Sequence, residues 1–334
     1  MPDARVAADA AESDQRTVDR ETNYEPKGVE RETGIWPTLK RTAQEFQEDN
    51  LGDWAAALTY YGLLALFPAL IAMISIVGLV TNPESTTRTL TDIVTGVGPQ
   101  SAAETFAGPI KQVTESHATA GVALVIGTLI ALWSASGYLG AFIRASNVIY
   151  ETREGRPFWK LRPLQLLMTL VLVLLLAVMA LGVVLTGPIV SAVADPIGVS
   201  GTAVSIWDIA KWPVIALLFV LIINVLYYTS PNVRQLPFRW ITPGSVVALL
   251  VWMIASGLFA LYVANFSSYN KTYGSLASVV IVLIWLWITN MAILFGHELN
   301  AERERDVEFR KRIPGAEKEI QLEPRAAPQR RRTA

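Results

Sequence analysis

Six long apolar runs alternate with short polar stretches along the chain, at about 55–80, 120–142, 163–186, 210–228, 243–264 and 275–296. None has the polar face that a soluble helix keeps in water. A helix rises about 1.5 Å per residue, so roughly twenty apolar residues cross a hydrocarbon core of about 30 Å. Each run is long enough to do so. The pattern therefore predicts an all-α, polytopic membrane helical bundle with about six transmembrane helices spanning 35–308. Pro68 falls inside the first run, where it removes a backbone donor and kinks the helix.

The segments between the runs have their own periodicity. Trp36, Leu39, Ala43 and Phe46 recur at three- and four-residue spacing with Lys40, Arg41, Gln44, Glu45 and Glu48 between them. That predicts an amphipathic helix over 35–49 lying on the membrane surface. After the first run, Asn82-Pro83-Glu84 reads as a helix start. Leu90, Ile93, Val94 and Val97 then make one apolar stripe, and Ala103, Phe106, Ile110 and Val113 a second. The two predict an outer helical hairpin over 82–118. Residues 1–34 form an acidic tail and 309–334 a basic one, both too poor in apolar side chains to offset the entropy of ordering. Both are expected to be disordered.

Charge orients the bundle. Arg144, Arg153, Arg156, Lys160 and Arg162 lie between runs two and three, Arg234 and Arg239 between four and five, and Arg303, Arg305, Arg310, Lys311 and Arg312 after the last. The remaining connections are poor in Lys and Arg, so the positive-inside rule puts both termini in the cytoplasm.

Composition narrows the chemistry. Of 334 residues 52% are hydrophobic and 17% charged, fewer charges than a soluble domain carries. The net charge of -1 averages the two tails and signals no nucleic-acid partner. With no cysteine, disulfides and thiolate metal sites are excluded. The two histidines, His117 and His297, fall on opposite sides of the membrane and cannot share a metal. HExxH, P-loop and GxSxG motifs are absent. No cofactor is implied, and no catalytic residue is assigned. Membrane lipids are the expected partners, with a lipid or small amphiphile as substrate and homo-oligomerisation left open.

Polar side chains within or beside apolar spans are costly and mark candidate sites. Asp53, Tyr60 and Tyr61 open the first span; Arg144 and Asn147 close the second. Asn224 lies in the fourth, and Asn290 and Glu298 in the inner half and exit of the sixth. With Pro68 they form the candidate set. Most fall in one half of the bundle, which points to an inward-opening cavity in which Arg144 faces Asp53 or Glu298. The structural alternative is that each only ties helices together.

Three blocks carry a family resemblance. Asp53-Trp54-Ala55-Ala56-Ala57-Leu58-Thr59-Tyr60-Tyr61 with Leu66-Phe67-Pro68 is the first. Leu132-Trp133-Ser134-Ala135-Ser136-Gly137 with Ala145-Ser146-Asn147-Val148-Ile149-Tyr150 is the second. Tyr273-Gly274-Ser275-Leu276 through Gly296-His297-Glu298-Leu299-Asn300 is the third. Together they resemble the YihY/BrkB family of bacterial inner-membrane proteins. His297 departs from the Gly-Ala-Glu usual in that family, which leaves Glu298 as the family-wide candidate. The resemblance implies six spans, cytoplasmic termini and the bacterial plasma membrane. It also brings a ribonuclease BN label that these residues do not support, and a suggested role in envelope-lipid transport. The expected function is transporter-like or lipid-handling and not enzymatic. The alternatives are a structural or assembly protein of the envelope and, behind it, an intramembrane hydrolase or nuclease.

Overall fold

The computed structural model describes residues 34–80, 120–184, 201–265, 275–316 and 319–327. The expected outer hairpin and most of the acidic tail lie outside them. The chain divides into two units, Met1–Pro37 and Thr38–Ala334. The described part of the first is only the opening turn of a helix.

Among the described residues seven helices follow one another: α1 (Ile35–Glu48), α2 (Leu51–Val80), α3 (Ala120–Ile149), α4 (Phe158–Val184), α5 (Gly201–Thr229), α6 (Pro243–Asn265) and α7 (Ser275–Arg310). Among the described residues of the second unit the regular structure is helical, apart from an isolated bridge between Val233 and Pro324. Among the described residues four segments are long and apolar enough to cross a membrane: Phe158–Met179, Ile209–Thr229, Pro243–Val263 and Val279–Arg310. On α6, Leu250, Met253, Ile254, Leu258 and Leu261 stand exposed. Such an apolar face suits hydrocarbon and not water.

From α2 to α7 each helix packs on the next in chain order, and α7 returns to α2 to close a ring. The core of the ring includes Leu51, Leu58, Phe142, Ile149, Ile223 and Leu294. The backbones of α6 and α7 approach closely where they cross. A Cβ on Gly244 would stand 2.0 Å from the Gly296 carbonyl oxygen, and one on Gly296 would stand 2.3 Å from that of Gly244. Only glycine at both positions allows this approach. Indole donors help at the lipid-facing seams: Trp252 donates to Thr289, Trp285 to Ser256 and Trp287 to the Gly52 carbonyl.

One end of the ring gathers the start of α2, α4 and α6 and the finish of α3, α5 and α7. We call it the charged end. Chain reversals here use left-handed residues. Asn50 (φ 52°) separates α1 from α2. Glu151 (φ 48°) ends α3 in a Schellman cap, with Thr152 N–H on the Asn147 carbonyl and Glu151 N–H on that of Val148. Arg312 (φ 56°) ends α7 in the same way.

After α7 the chain does not simply leave. Residues 319–327, assigned from sequence to a disordered tail, lie as a strap across the charged end. Arg234 N–H donates to the Glu323 carbonyl, and Arg325 N–H to that of Asn232. The Asn232 side chain donates to the Ala326 carbonyl and accepts from its N–H. The Arg325 guanidinium donates to the carbonyls of Val233 and Tyr228. Backbone donors and acceptors at the end of α5 and in the loop after it give the strap partners that its own composition does not announce.

Two predictions test these contacts. Gly244→Ala or Gly296→Ala should lower stability by about 1–3 kcal/mol through overpacking, read as a lower melting temperature in detergent. Gly257→Ala, whose new Cβ meets nothing within 4 Å, should leave it unchanged. In Gly155→Ala the new Cβ would meet the Ala326 carbonyl oxygen at 2.1 Å. That variant and Asn232→Ala should each speed tryptic cleavage after Arg325 by about tenfold, the equivalent of one lost buried hydrogen bond.

Candidate functional site

The polar residues at the charged end sort into four groups. The first clamps α1 to the extension of α7. Arg41 donates to Glu302 at 3.0 Å and reaches both oxygens of Asp306, which also accepts from Thr38. Arg305 bridges Glu45 at 2.9 Å and Glu302 at 3.2 Å. Glu302 is only 1% exposed, and two guanidinium groups offset the cost of burying its charge. Sequence reasoning missed this clamp. The signal was present, since Glu298, Glu302, Arg305 and Asp306 share one face of a helix that has just left an apolar run.

The second group joins the loops after α3 and α5. The Asn147 side chain donates to Glu154, and its amide oxygen accepts the Asn232 N–H. Arg156 pairs with Glu154 at 2.7 Å and donates to the carbonyls of Thr229 and Ser230, capping α5. Burial raises the Glu154 carboxyl, but the hydrogen bonds and charge of Arg156, with the Asn147 amide, outweigh it and hold the group below its ordinary value.

The third joins α5, α6 and α7 around Asn224, which is 2% exposed. Its amide contacts the carbonyls of Val220 and Trp240 and the hydroxyl of Ser245, and its oxygen accepts from Thr242 at 2.7 Å. Thr242 and Ser245 cap α6 reciprocally, backbone N–H to side-chain oxygen each way. Asn300 then ties α7 to both Thr242 and the Gly244 N–H.

The fourth lies deeper. Asn290 accepts from Tyr138 at 2.8 Å and donates to Thr59, joining α7, α3 and α2.

The other candidates are more scattered. Asp53 is exposed in the first turn of α2, and Tyr60 is 60% exposed with an edge contact to Tyr61. Pro68 lies within α2. Arg144 stands over the Tyr61 ring at 5.6 Å and makes no ion pair with Asp53 or Glu298. Glu298 is 3% exposed, and its Oε2 has no hydrogen-bond partner. The carboxylates of Asp49, Glu302, Glu45 and Glu151 lie within electrostatic reach of it. Its neighbour His297 is fully buried against Tyr227, Phe142 and Tyr150, with both ring nitrogens unpartnered.

A cavity of about 170 Å³ opens at the charged end between the loop 235–242 and the extension of α7. Of the candidate set it is lined by Asn224, and not by Asp53, Arg144, Asn290 or Glu298.

Crowding of acids at this end has a measurable consequence. Burial, then the carboxylates of Glu45, Glu151 and Glu48, push the Asp49 carboxyl up from 3.8 to about 6. A carboxyl raised on folding favours the native state most when protonated. Its contribution is full below pH 3.8 and is lost as pH rises through about 6. Asp49→Asn should therefore raise stability at pH 8 by roughly 1 kcal/mol, a figure reduced for partial solvent screening, and leave it unchanged at pH 3.5. Thermal melts at the two pH values check this.

Comparison with known proteins places the chain. The model of the family described as virulence factor BrkB matches residues 42–321. The ribonuclease-like protein YfkH of Bacillus subtilis is 33% identical over 264 residues, covering 78% of this chain and 91% of that protein. A UPF0761 membrane protein of Alkalilimnicola ehrlichii is 29% identical over 77% of this chain, and one of Stenotrophomonas maltophilia 26% identical over 79%. The chain spans only 56% and 61% of those two proteins. No solved structure matches it. A family match across most of the sequence, on a bundle with apolar membrane-length helices, means that this chain belongs to the BrkB family of membrane proteins.

Proposed function

We propose that the chain is a six-span protein of the bacterial plasma membrane, with both termini cytoplasmic, that handles envelope lipid or a small amphiphile in a transporter-like way. The observation that carries this reading is Glu298. A carboxyl group 3% exposed within a membrane-length helix, just past its apolar run, with an unpartnered oxygen, is expensive and does nothing for packing. Natural bundles retain such groups where ions, protons or polar substrate groups pass. The orientation rests on the Arg- and Lys-rich connections of the charged end. No enzymatic step is part of the proposal. The ribonuclease-like name belongs to the Bacillus relative.

Asn147, Asn224 and Asn290 favour a second reading. Each spends its hydrogen bonds on joining helices and loops, as a structural or assembly protein of the envelope requires. For these three the structural role is the simpler one, whichever reading holds for Glu298.

The test is reconstitution into liposomes carrying a fluorescent lipid analogue in one leaflet. The wild-type chain should accelerate exchange between leaflets. Glu298→Gln should reduce the rate by about tenfold or more, while melting as the wild type does. Unchanged exchange in Glu298→Gln and in Arg144→Ala would move the assignment to the structural reading.

A further inference from the structure

The cavity at the charged end carries chemistry that the joints around it do not use. Gln235 donates its amide to the Tyr150 hydroxyl at 2.8 Å and the Tyr227 carbonyl at 3.1 Å. Those two bonds fix the amide orientation and leave Oε1 buried without a donor. Glu304, also in the wall, has a buried Oε2 without a donor. Two acceptors, one of them a carboxylate, are thus left in the wall of one cavity. A buried acceptor left without a donor destabilises the fold unless a ligand supplies the donor.

The mouth has the opposite character. Arg239 and Arg303 line it and are exposed, and neither is paired with a carboxylate among the described residues. Aromatic rings also line the cavity, with Tyr228 and Phe238 in edge contact at 5.3 Å. The rim loop turns apolar side chains outward: Leu236 is 41% exposed, Trp240 70% and Ile241 54%. This loop joins two membrane-length helices, so it lies at the bilayer surface, where Trp and Arg side chains settle among headgroups.

We propose that this cavity binds the headgroup of an aminophospholipid. Arg239 and Arg303 hold the phosphate, the ammonium group donates to Glu304 and Gln235, and the rim loop lies along the acyl chains. The pattern of a carboxylate and an amide oxygen inside, two guanidinium groups outside and apolar residues on the bilayer side matches a zwitterion attached to a lipid. An anionic headgroup would leave the Glu304 carboxylate unmatched. A choline headgroup has no N–H to donate. The proposal deepens the lipid-handling reading, on which it rests for its choice of source. Its test reads binding alone and does not require movement.

The experiment is native mass spectrometry on the delipidated full-length chain offered phosphatidylethanolamine, phosphatidylcholine and phosphatidylglycerol of identical acyl composition. Phosphatidylethanolamine should be retained about tenfold over the other two. Glu304→Gln should abolish that preference. Arg239→Gln with Arg303→Gln should weaken all three, and both positions are exposed, so the fold is undisturbed. Melting curves check this, and Gln235→Leu, which removes the inner acceptor without touching charge, gives a second variant. Equal retention of the three lipids, or wild-type retention by the variants, overturns the proposal. Soluble phosphoethanolamine separates the two sources of this chemistry. If it binds as tightly as the lipid and the lipid cannot displace it, the ligand is a free phosphoamine and the lipid assignment is wrong. Preferred binding of phosphatidylethanolamine with no leaflet exchange supports the site and counts only against transport.

Discussion

Apolar helices already surrounded by hydrocarbon gain little from burying one more leucine against a neighbour. What fixes their register is the short list of polar groups that lipid will not solvate, and close backbone approach where side chains are missing. In this bundle both devices meet at the junction of α5, α6 and α7. Gly244 and Gly296 bring two backbones together, and the Asn224–Thr242–Ser245–Asn300 set locks the crossing immediately beside them. Asn290 does the same for α2 and α3 against α7. Since α7 takes part in both joints, it is the element through which the ring closes.

The charged end extends this logic beyond the bilayer. Glu302 holds Arg41 and Arg305 together, so α1 is fastened to α7 by charge as well as by the ring contact of Phe46 with Phe295. Arg156 and Arg325 each place a guanidinium group on carbonyls at the finish of α5 or just beyond it, where helix geometry leaves acceptors unused. The strap then covers the loops that these arginines organise. Against so much pairing, several buried atoms without a partner stand out among the described residues, Glu298 Oε2, the His297 nitrogens, Gln235 Oε1 and Glu304 Oε2 among them. Gln235 and Glu304 share the cavity wall, whereas His297 and Glu298 lie buried outside it, and these atoms are where function is most economically sought.

Much of this was legible in the chain. Hydrophobic run length announced membrane-length helices, and the three- and four-residue spacing of Trp36, Leu39, Ala43 and Phe46 announced α1. The three sequence blocks pointed to the family that the full comparison supports. The polar candidates were found because polar residues in apolar runs are rare. Their partners were not found, since Asn147 meets Asn232 and Asn224 meets Thr242 only after helices have been arranged. Arg144 was expected beside a carboxylate but lies over Tyr61, because the two positions face each other across the α2–α3 seam.

The sequence by itself determined which segments are helical, which are apolar enough to enter lipid and where charge collects, because periodicity, run length and charge are local properties of a chain. Tertiary structure alone decided that the ring closes in chain order, that residues 319–327 are a strap and that Gln235, Arg239, Arg303 and Glu304 share a cavity. Those facts depend on hydrogen bonds and contacts between residues far apart in the chain. Such pairings are settled by the geometry of packed helices, which no single segment encodes.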